Sequence, residues 1–177
     1  MTRLYARPDQ VITLNDFPVH HEQCLKIYFR IFSTGHSDII PPCPVIHKST
    51  GTPFIKGSSK TAQKYNAVLA KFLEDRPESE YFLLDGTHRT TAAALSHSEI
   101  PLLVFQGDND IRDAKKLVKQ GELFSLTTGN SITDCVRILQ RHFVKTMLFQ
   151  TVAEKTLKMV RQKVVPQYMI DFYKKSA

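Results

Sequence analysis

The stretch 81-YFLLDGTHRTTAAAL-95 passes from strand to helix character within one turn. Its first residues form a short apolar run of the kind buried in a sheet. The following RTTAAALSH reads as a helix whose alanines 92–94 let it lie close against that sheet. Asp85, Gly86, Thr87, His88, Arg89 and Thr90 crowd the junction. A strand that turns at Gly86 into a helix aims the helix's first N–H groups, and the positive end of its dipole, at whatever sits above the turn. Thr87 and Thr90 can add hydroxyl donors, and His88 and Arg89 charged ones. The planar guanidinium of Arg89 suits two parallel bonds to phosphate oxygens. Asp85 would repel a phosphate, so Mg²⁺ or a substrate hydroxyl or amine is its natural partner. The same residues admit a plainer reading, in which Asp85 and Thr87 cap the helix and His88 and Arg89 are solvated.

Working outward, 100-IPLLVFQ-106 is a second strand, followed by the helix IRDAKKLVKQ with Asp110 as its expected N-cap and Gly121 just past its end. Upstream, KTAQKYNAVLAKFLED places Tyr65, Val68, Leu69, Phe72 and Leu73 on one helical face and ends before Pro77. The run 41-PPCPVIHK-48 is a proline-led strand, because Pro42 and Pro44 forbid helix there. Residues 20–34 form an amphipathic helix, with Cys24, Ile27, Tyr28 and Ile31 spaced as its apolar stripe and Gly35 as its stop. Strands alternating with helices predict a mixed α/β core over residues 1–131. From Ile132 to Ala177 the chain is helical in pattern and basic, with nine Lys and Arg against three acids. Its stripe Ile132, Val136, Leu139, Phe143, Met147 is expected to face a core or a second copy.

Twenty-four Lys and Arg against 17 Asp and Glu give a net charge of +7, which favours an anionic partner: nucleotide, nucleic acid or acidic metabolite. Three cysteines without a CxxC pair fit a reduced, cytoplasmic protein better than a disulfide scaffold. No run approaches the ~18 apolar residues of a membrane span. His20 and His21 beside Glu22 lack the HExxH spacing, so zinc is not expected. In 51-GTPFIKGSSKT-61 a lysine precedes the glycine where a P-loop needs the reverse, and the segment reads as a flexible basic loop. Cys43 is expected to pack rather than react.

The run DGTHRTTAAALSHSEIPLLVF resembles the D-G-x-H-R-x-x-A…I-P-V signature of the ParB/sulfiredoxin superfamily, and 41-PPCPVI-46 resembles the strand that precedes it there. The resemblance implies a ParB/sulfiredoxin-like mixed-sheet domain with a helical C-terminal extension, and a turn in which Gly86, Thr87, His88, Arg89 and Thr90 hold nucleotide phosphates. Sulfiredoxin itself is disfavoured, because Thr87 stands where its catalytic cysteine would. His21-Glu22-Gln23 and 117-LVKQGELFSLTTGNS-131 are similar to segments of the free-serine kinase branch. That likeness implies phosphoryl transfer from ADP or ATP, with Mg²⁺, to the hydroxyl of a small metabolite, L-serine first. Glu22 is then the catalytic base, Asp85 and His88 assist, Asp85 also serves as metal ligand, and Thr127, Thr128, Asn130 and Ser131 meet the acceptor.

Removing a hydroxyl proton needs an acceptor within hydrogen-bond reach, which gives Glu22 chemical sense. An acid in the first turn of a helix is also favoured by the dipole alone. The chain departs from the branch in the substrate loop, where Leu126, Thr127, Thr128, Gly129 and Asn130 replace its Lys, Arg and His, and in a whole helix inserted before the phosphate turn. The superfamily offers a rival expectation, a CTP-gated DNA-binding protein whose basic C-terminal helices grip the duplex.

Overall fold

The computed structural model describes residues 1–175 except 16, 18, 20, 124, 125, 127 and 128. Five strands, β1 (Thr2–Ala6), β2 (Val11–Ile12), β3 (Cys43–His47), β4 (Tyr81–Leu83) and β5 (Ile100–Phe105), form one mixed sheet in the order β1-β5-β3-β4-β2. β3 lies parallel to β5 and antiparallel to β4, while β1 runs antiparallel along β5 and β2 parallel along β4. The helices are α1 (Glu22–Ser33), α2 (Lys60–Asp75), α3 (Thr87–Leu95), α4 (Asp108–Lys119), α5 (Ile132–Thr146), α6 (Val152–Arg161) and α7 (Gln167–Lys175). No helix among the described residues is long and apolar enough to cross a membrane.

The two-residue period of the central strands divides the core. Val45, Leu83, Leu102 and Val104 point to one face, which α1, α3, α6 and α7 cover. Ile46, Phe82, Leu103 and Phe105 point to the other, under α2, α4 and α5. Strands buried on both faces read as continuous apolar runs, as 100-IPLLVF-105 does. The C-terminal segment does not form a core of its own. Leu139 and Phe143 of α5 join one cluster, and Met159 of α6 and Met169 of α7 join the other. Phe149, between α5 and α6, packs its ring 4.8 Å from Phe143, 5.5 Å from Tyr65 and 5.8 Å from Phe72. Aromatic pairs of this kind contribute about 0.5–1.5 kcal/mol each beyond the area they bury.

Two expectations need correction, and a third point is a pair of strands that the residue pattern left unmarked. The buried stripe of α1 is Leu25, Phe29 and Phe32, and Ile27 is 60% exposed. Apolar residues cover a little more than half of this helix, from Ile27 round to Phe29, so spacing alone could not choose which part of that arc is buried. The choice is made by α7, whose Tyr168 and Phe172 set their rings edge-on to Phe29 at 5.7 and 5.4 Å. Asp110 does not cap α4, since Gly107 holds that position. The Asp110 carboxylate instead accepts hydrogen bonds from the Gln106 N–H at 2.8 Å and the Met1 ammonium at 2.5 Å. Third, β1 and β2 lie in an N-terminal stretch with no strand pattern strong enough to mark them. They are edge strands, and β1 keeps only Ala6 fully buried, so alternation is faint.

Candidate functional site

The antiparallel register of β3 and β4 pairs Val45 with Leu83, which brings Asp85 and Gly86 level with Cys43 at the start of β3. There the chain turns into α3 through Gly86, at φ 106°. A side chain at this residue would meet the Cys43 Sγ at 2.7 Å and the Arg89 guanidinium at 3.0 Å. The conformation and the close approach each call for glycine. The three amides that follow Gly86 lie in the first turn, where the helix's own ladder leaves N–H groups unused.

α1 packs across α3 and closes the space above the turn. The result is a cavity of about 190 Å³ edged by His21, Cys24, Tyr28, Asp85, Thr87, His88 and Arg89. The His88 Nε2 accepts a hydrogen bond from the His21 N–H at 3.2 Å, so a neutral His88 carries its proton on Nδ1. The two imidazole rings stand 5.9 Å apart. Asp85 accepts the Gly86 N–H on Oδ1 at 2.8 Å, and its Oδ2 lies 3.7 Å from Arg89 Nη2. Burial pushes the Tyr28 hydroxyl above its ordinary pKa, against the pull of the Arg89 charge. Cys43 is fully buried at the start of β3, and burial likewise raises its thiol. Small-molecule sites usually occupy ~300–1,000 Å³, so this cavity suits a phosphate group rather than a whole nucleotide.

Several expected ligands are engaged elsewhere. Arg89 is only 4% exposed, and its Nη1 donates to the carbonyls of Pro41 and Pro42 at 2.7 and 3.1 Å. It braces the proline-led entry to β3 and the Asp85 carboxylate, and lends its charge to the cavity without offering a two-pronged grip. Thr90 is fully buried and donates its hydroxyl to the Thr87 carbonyl at 3.1 Å. Glu22 begins α1, but its carboxylate pairs with Lys26, has a side chain 61% exposed and does not line the cavity. Cys24 and Tyr28 of α1 do line it, as does His21 just before the helix. Spacing could have found Cys24 and Tyr28, four residues apart on one side, once the buried face of α1 was known.

The loop before α5 is likewise tied to local structure. Ser131 caps α5, accepting the Asp134 N–H at 3.1 Å, and Asn130 accepts from Lys115. Neither residue lines the cavity at the turn. Thr127, Thr128 and His20 lie outside the described residues. Among the described residues no three His, Cys, Asp or Glu side chains are grouped to hold a metal. Asp85 offers a single carboxylate edge, which suits Mg²⁺ that is shared with substrate phosphates.

Asp134 supports a pH prediction. Its carboxyl is held below the ordinary value by the Asn130 N–H, then by the Ser131 hydroxyl, with Arg137 and Lys115 adding to the effect against slight desolvation. A depressed folded value contributes stability above the unfolded pKa of about 3.9, and that contribution is lost as pH falls through the folded value. Asp134→Asn should therefore melt below the native chain at pH 7, and the gap should close in acid. Melting curves from pH 7 down to the acid limb check this; a gap unchanged by pH would mean that the charge is not what holds the loop end.

Fold and site together define a mixed α/β domain with a phosphate-sized cavity at a strand-to-helix turn. No family model, curated protein or solved structure matches the chain. The likeness to the ParB/sulfiredoxin superfamily accordingly rests on the residues of the turn and its flanking segments.

Proposed function

We propose that this chain is a ParB/sulfiredoxin-like phosphotransferase that carries a phosphoryl group from ADP or ATP to the hydroxyl of a small metabolite, with free L-serine as the leading acceptor. The observation that carries the reading is the turn at Gly86: a helix N-terminus opens onto a phosphate-sized cavity beside two imidazoles, one guanidinium and one carboxylate. Phosphoryl transfer depends on positioning and charge neutralisation more than on covalent help, so this set is chemically sufficient.

In the reaction, the acceptor oxygen bonds to the terminal phosphorus while the bond from that phosphorus to the bridging oxygen breaks. The shortened nucleotide leaves with the electron pair. The amides of Thr87, His88 and Arg89 hold the transferred group's oxygens, and the Arg89 charge stabilises them from below. Asp85, the carboxylate at the cavity, takes the hydroxyl proton. This moves the role of base from Glu22 to Asp85, because the Glu22 carboxylate is held on the outer side of α1 by Lys26. When bound, Mg²⁺ would be held by Asp85 and supply further charge neutralisation to the phosphates.

The test is incubation with Mg²⁺ and ADP, ATP or CTP, together with serine, threonine or other hydroxyl metabolites, followed by phosphorus NMR. A phosphomonoester formed with ADP or ATP is the expected result. The rival reading draws on the exposed Arg137, Arg141 and Lys145 along α5. No product with any donor, together with CTP-responsive duplex binding that falls steeply with salt, would replace the kinase reading with a DNA-binding one.

A further inference from the structure

The segment 51-GTPFIKGSSKT-61 lacks the order of a P-loop, yet the structure gives its first half a built wall. Thr52 donates its hydroxyl to the Lys48 carbonyl at 2.8 Å. Asn66 of α2 holds Ile55 from both sides, accepting its N–H at 2.9 Å and donating to its carbonyl at 2.8 Å. Gln140 of α5 donates to the Phe54 carbonyl at 2.6 Å. At Gly51 the backbone comes so close to α5 that a Cβ would stand 2.6 Å from Val136 Cγ2. Between this stretch and α5 lies a cavity of about 550 Å³, within the range of small-molecule sites.

Its polar lining has one sign. Lys56 and Arg137 supply cations, Thr50, Thr52 and Thr133 supply hydroxyls, and no carboxylate lines it. Among the described residues Lys56 has no ion-pair partner. Arg137 is paired with Asp134 through Nη1 at 3.0 Å, and Asp134 stays outside the lining. Thr133 is the second residue of α5, so the positive end of a fifteen-residue helix also borders the space. Phe54, 42% exposed, adds an aromatic face.

We infer that this cavity binds a small phosphomonoester with a flat organic body, a mononucleotide in size, at a second site apart from the turn at Gly86. Two cations and the hydroxyls of Thr50 and Thr133 match the three oxygens of one phosphate group, the Thr52 hydroxyl proton being held by the Lys48 carbonyl, and Phe54 can stack on the body. Two cations are too few to track a nucleic-acid strand, which presents many phosphates. The site does not share residues with the turn. Cys43 lies under Gly86 at one end of β3, and Thr50 follows beyond the other end, His47, which is roughly 13 Å from Cys43 at strand rise. The inference therefore stands or falls separately from the proposed phosphotransferase.

The experiment is a titration of the ¹⁵N-labelled chain with AMP, inorganic phosphate and adenosine, read at assigned amides. AMP should shift residues 50–56 and 133–140, phosphate should do so more weakly, and adenosine should not. A Lys56→Gln, Arg137→Gln chain, changed only at exposed side chains, should bind AMP at these amides about tenfold or more weakly. Shifts confined to residues 85–90 overturn the inference and leave the kinase reading intact. Shifts at 50–56 and 133–140 from a chain that makes no phosphorylated product support the inference and sink the kinase reading. Equal binding of adenosine, or a double variant as tight as native, also overturns it. So does a single-stranded oligonucleotide that binds far more tightly than AMP with a steep salt slope, because the groove would then belong to a strand.

Discussion

Asp85→Asn should lower turnover by about 10²–10⁴-fold, the usual worth of a general base, while nucleotide affinity measured without Mg²⁺ changes little. Glu22→Gln should stay within a few-fold of the native rate. The contrast follows from where the two carboxylates stand. Asp85 edges the cavity, keeps one oxygen on the Gly86 N–H and turns the other towards Arg89. The asparagine amide can still accept the Gly86 N–H, so the turn keeps its shape while the proton acceptor and the Mg²⁺ ligand are lost. Glu22 has an exposed side chain and pairs with Lys26 one turn along α1. Exposed pairs of this kind contribute little, so Glu22→Gln should barely move the melting curve. Phosphorus NMR of product, together with calorimetry of nucleotide binding, reads both variants. An inactive Glu22→Gln chain beside an active Asp85→Asn chain would return the base to α1, and would mean that α1 works in a different orientation from the one described.

Gly86→Ala should cost about 2–5 kcal/mol, combining backbone strain with overpacking. At φ 106° an L side chain is strained whatever the space around it. The added methyl would also press on Cys43 Sγ, at the start of β3, whose first four residues are buried. Relief of the strain would twist the first amides of α3 away from the cavity, so nucleotide binding should weaken by ~10-fold or more, the worth of one charge-assisted hydrogen bond. Adding Cys43→Ala separates the two causes. The double variant should recover the part due to Cys43, while the Arg89 contact, the backbone part and the weakened binding persist. Denaturant midpoints for the two single variants and the double variant make the comparison. A Gly86→Ala chain as stable as native would mean that the turn is not left-handed at this residue.

What could be read from the order of residues was mostly local. Helix α2 begins and ends where its pattern does, at Lys60 and Asp75, because Ser59 caps it through the Ala62 N–H and Pro77 follows. The apolar runs of β3, β4 and β5 marked strands because both their faces are buried. The crowding of Asp85, Gly86, His88 and Arg89 marked a turn with chemistry, and the structure gathers these residues at one cavity. Less legible were the partners each side chain chooses. Arg89 reads as a phosphate ligand beside glycine and histidine, yet the carbonyls of Pro41 and Pro42, 47 and 48 residues away in sequence, occupy its Nη1.

The amino-acid order by itself determined the α/β class, the buried strands, the place of the strand-to-helix turn and its need for glycine. These follow from periodicity, caps and backbone sterics, which act over a few residues. Only the tertiary structure decided which face of α1 is buried, and so whether Glu22 or Cys24 and Tyr28 look towards the turn. It also drew α5, α6 and α7 into the two cores instead of leaving residues 132–177 as a separate segment, and set the loop at Gly51 against α5. Each of these choices is made by packing between elements distant in sequence, such as α7 on Phe29 or Val136 against Gly51. An apolar residue encodes that it will be buried, but the surface that buries it exists only once the chain has folded.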